Sequence, residues 1–188
     1  MHNDWLQRLL CALILSLFIA PSVQADLFTV DDTGDAGDAS PGDGICATAG
    51  NVCTLRAAIE EANATADADL IGFDIDSPIQ PTSPLPDITT DPLIIDGTTD
   101  PDYSGTPVIE IDGTNAGSGA DGLRLGANSV VIKSVVILNL DDNGIQINSD
   151  QNIIVGSYIG VAADGSAAGN GSVGVNVNGD DNTIGDDG

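Results

Sequence analysis

Positive charge and aromatic side chains are the features that this sequence most lacks. Its 188 residues contain 4 Lys+Arg against 29 Asp+Glu, which gives a formal net charge of −25. A nucleic-acid-binding function is excluded, because contacts to phosphates require cations that displace the condensed counterions. Aromatic residues make up 3% of the chain, so we expect an aliphatic core and few rings on which a sugar could stack.

Residues 1–25 have the pattern of a secretory signal peptide. Arg8 precedes an apolar run from Leu9 to Ala20, and small residues lead to a predicted cleavage site after Ala25. The run has about 12 residues, fewer than the roughly 20 that span a bilayer, so no transmembrane segment is expected. We therefore predict a protein that is secreted or held at the cell surface.

Two cysteines, Cys46 and Cys53, remain after the predicted cleavage. We predict a disulfide between them, because export leads to an oxidising environment. The bond encloses about 8 residues, so its stabilisation by loop closure is about 2.5 kcal/mol. A metal site would need two more soft ligands, and the mature chain has no further Cys or His. Two free thiols remain the alternative.

The segment from Thr54 to Ala64 is predicted to be the one helix of the mature chain. Its apolar residues recur at helical spacing, and Thr54 is a suitable N-cap. We place Glu60 and Glu61 on the polar side of this helix. A helix of this length cannot bury its apolar stripe alone, so we expect it to cover one end of the remaining structure. The stripe consists of Leu55, Ala58, Ile59 and Ala62.

The rest of the sequence is a series of short aliphatic segments with an internal repeat. Three glycines are each followed ten residues later by an isoleucine, in a period of about 22 residues with one expanded unit of about 30. Such fixed offsets predict parallel strands stacked with one coil per repeat, whereas an antiparallel sandwich, the alternative, has no reason to repeat them. The pairs are Gly122 and Ile132, Gly144 and Ile154, and Gly174 and Ile184.

Stacked coils would align equivalent residues of successive repeats in columns. Asn152 and Asn182 are equivalent, and their amides are expected to form a hydrogen-bonded ladder. The aliphatic residues predicted to point inward are Leu123, Leu125, Ile132, Ile145, Ile147, Ile154, Val175, Val177 and Ile184.

The run from Cys53 to Ile59, followed by Glu61-Ala62-Asn63, resembles the CSLREA N-terminal domain of exported bacterial proteins, whose motif reads Cys-Ser-Leu-Arg-Glu-Ala. Thr54 and Ala57 depart from that motif. Downstream segments such as Ile95–Thr99 are similar to parts of the β-helix proteins that commonly follow this domain. The resemblance implies an all-β, right-handed parallel β-helix at residues 68–188, an N-terminal cap at residues 26–67, and a surface protein without an assigned activity.

An enzymatic function stays open, because parallel β-helices also include polysaccharide lyases and glycoside hydrolases. In the mature chain, a lyase base would have to be Arg56, Arg124 or Lys133. We interpret Arg56 as a structural residue and Arg124 and Lys133 as solubilising residues. Asp141 and Asp142 could form a hydrolase pair, but they precede a turn. We assign no catalytic residue and favour a structural or adhesin-like protein that binds a surface glycan or a protein.

Calcium is the one cofactor that the sequence suggests. Acidic residues are crowded in a Gly-rich segment, and carboxylates on a flexible loop suit Ca²⁺. A solvated acidic turn is the alternative. The candidate ligands are Asp31, Asp32, Asp35, Asp38 and Asp43.

The third repeat stops at residues 184–188, where the earlier repeats continue into another aliphatic strand. Stacked repeats need an atypical last unit to be soluble. We therefore expect either a fragment of a longer β-helix or a last coil that a partner covers, with end-to-end association as one form of that contact.

Overall fold

The computed structural model describes residues 25–65 and 67–185. The predicted signal peptide, residues 1–25, therefore lies outside the described residues except for Ala25, and its cleavage stays a prediction. Within the described ranges, no helix has the length and apolar character needed to cross a membrane.

The described residues form a parallel β-helix of about four turns, as the repeat predicts. Every pair of named strands is parallel, so the antiparallel sandwich is wrong. The strands in chain order are β1 (Leu27–Val30), β2 (Asp69–Phe73), β3 (Leu93–Asp96), β4 (Ile109–Asp112), β5 (Leu123–Leu125), β6 (Val131–Lys133), β7 (Val135–Leu138), β8 (Ile145–Ile147), β9 (Ile153–Val155), β10 (Tyr158–Ile159), β11 (Val175–Val177) and β12 (Thr183–Ile184).

These strands form three sheets that enclose the core. Sheet A has the order β1-β2-β3-β6-β9-β12, sheet B the order β10-β7-β4, and sheet C the order β11-β8-β5. Each full coil contributes one strand to each sheet, so equivalent residues lie about 4.8 Å apart along the stack.

The predicted columns of inward aliphatic residues are confirmed. In sheet C, Leu123 pairs with Ile145, and Ile145 pairs with Val175. The predicted residues of the earlier coils are buried, whereas Val177 and Ile184 are 40% and 48% exposed. Their exposure follows from position, since they belong to β11 and β12, the outermost strands of their sheets.

The coil between β2 and β3 has single bridges in place of strands. Ile79 bridges to Ile111 of sheet B, and Ile88 bridges to Leu125 of sheet C. This segment is rich in proline, which has no N–H to donate to a strand ladder. Both isoleucines are nevertheless fully buried, so the coil adds to the core without regular strands.

The predicted helix is confirmed as α1 (Leu55–Ala64), with Thr54 Oγ1 accepting a hydrogen bond from the backbone N–H of Ala57 at 3.1 Å. Its apolar stripe is buried in the same core cluster as the coils, and α1 packs on β1 and β2 at the N-terminal end of the stack. The segment 26–67 also supplies β1, which pairs in register with β2. It therefore adds a strand to sheet A as well as a helix.

The prediction that Glu61 lies on a polar, solvated side of α1 is wrong. It is fully buried, and its carboxylate accepts hydrogen bonds from the backbone N–H groups of Gly42 and Gly44 at 2.6 and 2.5 Å. Glu60 Oε2 accepts one from Asp38 N at 2.7 Å. The acidic segment before the helix folds over this face, so the polar side of α1 is covered too.

The predicted asparagine ladder is confirmed. Asn152 is fully buried, and its Nδ2 donates to Oδ1 of Asn182 at 2.9 Å. Asn152 Oδ1 accepts from the backbone N–H of Val130, one coil earlier, at 2.9 Å. The ladder thereby satisfies buried backbone groups across three coils.

Candidate functional site

The five candidate calcium ligands lie on one loop, residues 31–44, which we call the acidic loop. Asp31 Oδ1 accepts from Cys53 N at 2.7 Å, and the two oxygens of Asp38 accept from Ser40 N and Ala47 N. Asp32 and Asp43 each accept a backbone N–H two residues later. Among the described residues, no three acidic, Cys or His side chains are grouped so as to hold a metal ion, and calcium binding stays a prediction.

The predicted disulfide between Cys46 and Cys53 is present, with their Cα atoms 5.2 Å apart. It fixes the acidic loop beside the start of α1. Thr54 Oγ1 donates to the carbonyl of Ala36 at 2.6 Å, so the N-cap residue also holds this loop. The disulfide therefore helps to hold the acidic loop at the N-terminal end of the stack.

Arg56 joins three parts of the chain. Its guanidinium pairs with Asp35 of the acidic loop at 2.8 Å, and it donates to the carbonyls of Ser83 and Pro84 in the first coil. The Arg56 and Asp35 side chains are only 12% and 9% exposed. These contacts agree with the structural interpretation of Arg56.

Arg124 and Lys133 lie on the outer faces of different sheets. Arg124, in sheet C, pairs with Asp121 and Asp87 at 2.9 and 3.0 Å. Lys133, in sheet A, pairs with Asp96 at 3.0 Å. The two cations are each neutralised by carboxylates, and the fold does not bring them together.

Asp141 borders an open groove of about 530 Å³, which is lined mainly by small and polar residues. The hydrogen bonds that its carboxylate accepts from Gly119 N and Ser118 Oγ lower its pKa. A glycosidase acid needs a raised pKa, so this environment favours the turn-forming interpretation of Asp141 and Asp142.

The outer face of β4 carries two carboxylates that sequence analysis did not single out. Glu110 and Asp112 are two residues apart, which places them roughly 7 Å apart on one face. Burial, and then the neighbouring Asp112 and Asp164, raise the pKa of Glu110. At Asp112, burial acts to raise the pKa of the carboxyl group. Hydrogen bonds from Thr114, Asn139 and Gln80 outweigh it, so the pKa of Asp112 is lowered overall. Two carboxylates with opposite shifts are a feature of acid–base pairs.

A second groove, which we call the tyrosine groove, lies beside the last complete coil. It has a volume of about 390 Å³, and Tyr103, Pro107, Ser157, Tyr158 and Ile184 are among its lining residues. Tyr158 is 37% exposed. The expanded repeat adds a short turn, closed by a bridge from Val161 to Ala167, next to Tyr158. This site could not be predicted from the sequence, because Tyr103 and Tyr158 are far apart in the chain and only the fold brings them to one groove.

Comparison of the chain with family models, curated proteins and solved structures finds no match. The resemblance to the CSLREA domain therefore stays a prediction.

Proposed function

We propose that this protein is a secreted or cell-surface structural β-helix of adhesin-like character, which binds ligands without transforming them. The observation that carries this proposal is the dispersal of the three cations among the residues that the structure describes. Arg56, Arg124 and Lys133 lie on α1, sheet C and sheet A, and each is held in an ion pair. A polysaccharide lyase needs a cationic base and substrate-binding cations in one groove, and this arrangement does not provide them.

The tyrosine groove is the proposed ligand site, and a surface glycan is the proposed ligand. Tyr103 and Tyr158 are half of the aromatic residues that follow Ala25, and they border the same groove. Flat aromatic faces bind sugar rings, while hydroxyls such as that of Ser157 supply hydrogen bonds. A glycan array with the exported protein tests this site. Binding that Tyr158→Ala abolishes and Tyr158→Phe retains is expected, and the absence of any Tyr158-dependent binding would refute it.

A glycoside hydrolase is the second candidate, supported by Glu110 and Asp112 on β4. Glu110 has the raised pKa of a general acid. Asp112, however, accepts four hydrogen bonds, two from Thr114 and one each from Asn139 and Gln80, which leaves it little capacity to attack or activate water. Turnover of any polymer in a panel of uronate and neutral polysaccharides, lost in Glu110→Gln, would replace the structural proposal with this one.

Export and end-to-end association complete the proposal. N-terminal sequencing of exported protein should begin at Asp26 if the signal peptide is cleaved as predicted. The apolar side chains of β11 and β12 are partly exposed at the last coil, which supports association through these strand edges. Light scattering over a concentration series should show growth beyond the monomer, and a constant monomer mass would contradict this part of the proposal.

A further inference from the structure

The outer face of sheet A carries a column of six side chains, of which the first five are aliphatic. Successive strands pair these residues directly with one another. The next residue of strands β1, β2, β3, β6 and β9 is buried in the core, so the column points outward, because side chains alternate along a strand. We call this column the outer ladder; it consists of Leu27, Leu70, Ile94, Val131, Ile153 and Thr183.

The outer ladder is accessible over most of its length. Leu27, Ile94 and Ile153 are 61%, 38% and 40% exposed. Single exposed aliphatic residues are common on protein surfaces, whereas an aligned series forms a patch of the kind that marks an interaction site. With about 4.8 Å between strands, the six positions span roughly 24 Å.

A hollow lies at the N-terminal end of the outer ladder. It has a volume of about 270 Å³ and is bordered by Leu27, Leu70, Gly72 and Thr99. Gly72 lets Thr99 and Leu27 pack closely beside the hollow, because a Cβ there would lie 2.9 Å from Thr99 Oγ1 and 3.4 Å from Leu27 Cδ1. The ladder therefore offers a recess for one apolar side chain as well as a stripe.

Acidic residues accompany the outer ladder along one side. They occur in the turns that lead into β1, β2, β3, β9 and β12, one to three residues before the ladder position. With a net charge of −25, two copies that met through this face of sheet A would bring their acidic turns together and repel each other, whereas a basic partner would be attracted. The acidic residues are Asp26, Asp67, Asp91, Asp150 and Asp180.

The backbone of sheet A limits the conformation that a partner can have. Strands β2, β3, β6 and β9 are paired on both sides, so their backbone groups cannot accept an added strand across the face. An α-helix satisfies its own backbone and can lie across these strands. Its apolar residues at i, i+3 or i+4 recur about every 5.4 Å, close to the spacing of the ladder. About 16 helical residues would cover 24 Å.

We propose that the outer ladder is a docking site for a basic, amphipathic helix of a partner protein. The apolar face of that helix covers the ladder, and its Lys or Arg side chains reach the acidic turns. This site is separate from the tyrosine groove, so it does not depend on glycan binding.

A designed 16-residue helix of Leu and Lys, with one apolar face, is the probe for this proposal. Its control is a peptide of the same composition whose sequence is scrambled so that no single apolar face forms. Fluorescence anisotropy with the full chain should show binding at least tenfold tighter for the designed helix, weakened by salt. Equal binding of the two peptides would overturn the proposal, because it would reveal charge attraction alone.

Substitutions on the outer ladder test whether the designed helix binds there. The double variant Ile94→Ser and Ile153→Ser should weaken binding of the designed helix at least tenfold. The control is Ile45→Ser, at an exposed aliphatic residue just after the acidic loop, and it should leave the binding unchanged. Thr183→Leu extends the aliphatic column at an exposed position and should strengthen binding several-fold, without risk to the core. Binding that neither the double variant nor Thr183→Leu alters would refute the site. A dimer that the double variant dissociates would assign the ladder to a second copy instead.

Discussion

Glu61 provides a sharp test of how the acidic loop is held on α1. Its buried carboxylate accepts hydrogen bonds from two backbone N–H groups, those of Gly42 and Gly44. Glu61→Gln keeps the shape of the side chain but turns one acceptor oxygen into a donor, which faces another donor. We therefore expect this substitution to destabilise the protein and to loosen the acidic loop.

The magnitude follows from the number of bonds. A hydrogen bond to a charged group contributes about 1.5–3 kcal/mol, and Glu61→Gln loses one of two, so the free energy of unfolding should fall by about that amount. Glu61→Ala loses both bonds and should cost about 2–4 kcal/mol, less than twice as much, because the freed amides of an exposed loop regain bonds to water.

Glu60→Gln is the matched control, since it removes the same charge from the adjacent position. Glu60 accepts from Asp38 N through one oxygen, and a Gln amide can retain that bond. Urea denaturation should give a small change for Glu60→Gln and a large one for Glu61→Gln, and hydrogen exchange at the Gly42 and Gly44 amides should accelerate only in the latter. Equal stability of the two variants would refute the buried position of Glu61.

Three further predictions concern the coils. Asn152→Ala leaves buried polar groups without partners and should cost about 2–4 kcal/mol in urea denaturation, whereas Asn182→Ala, in the last coil, should cost about half as much; equal costs would contradict the stacking order. Gly97→Ala places a Cβ against the backbone of Ser134 and should cost about 1–3 kcal/mol or more, measured by thermal melting, and an unchanged melt would show that this corner can shift. The third prediction concerns Asp96. Burial acts to raise the pKa of its carboxyl group, but hydrogen bonds from Thr98 and Lys133 outweigh burial and lower that pKa overall. The stability from this group is therefore present above the unfolded pKa of about 3.9 and is lost as the pH falls through the folded value. Asp96→Asn should be less stable than the natural chain at neutral pH, and the difference should vanish in acid; a difference that is constant with pH would exclude this linkage.

The coils from β5 onward could be predicted from the sequence because their spacing is regular. A fixed offset between Gly144 and Ile154, repeated in the other units, requires the same side chains to meet in each coil. The coil containing Ile79 and Ile88 was not predicted, because its prolines prevent regular strands and leave only single bridges.

The outer ladder could not be predicted for a different reason. Four of its six strands, β2, β3, β6 and β9, have two successive aliphatic residues at this place, such as Ile94-Ile95 and Ile153-Ile154. Period-two alternation with a polar residue would show which side chain points outward, and here that polar residue is missing. The burial of Glu61 could not be predicted either. The helical pattern of α1 places both Glu60 and Glu61 on the polar side, and only the folded position of the acidic loop shows that Glu61 is buried.

The direction of the hydrogen bonds between coils determines how this protein responds to tension. Strands of successive coils bond to one another along the stack axis, so a pull between the two ends loads the coils in series and detaches them one at a time. Each detached coil of about 22–30 residues releases roughly 70–110 Å of extended chain. Under force, the molecule would lengthen in discrete steps that begin at the uncovered strands β11 and β12, while the helix and the disulfide secure the opposite end. A protein built in this way absorbs mechanical work as its coils detach one after another.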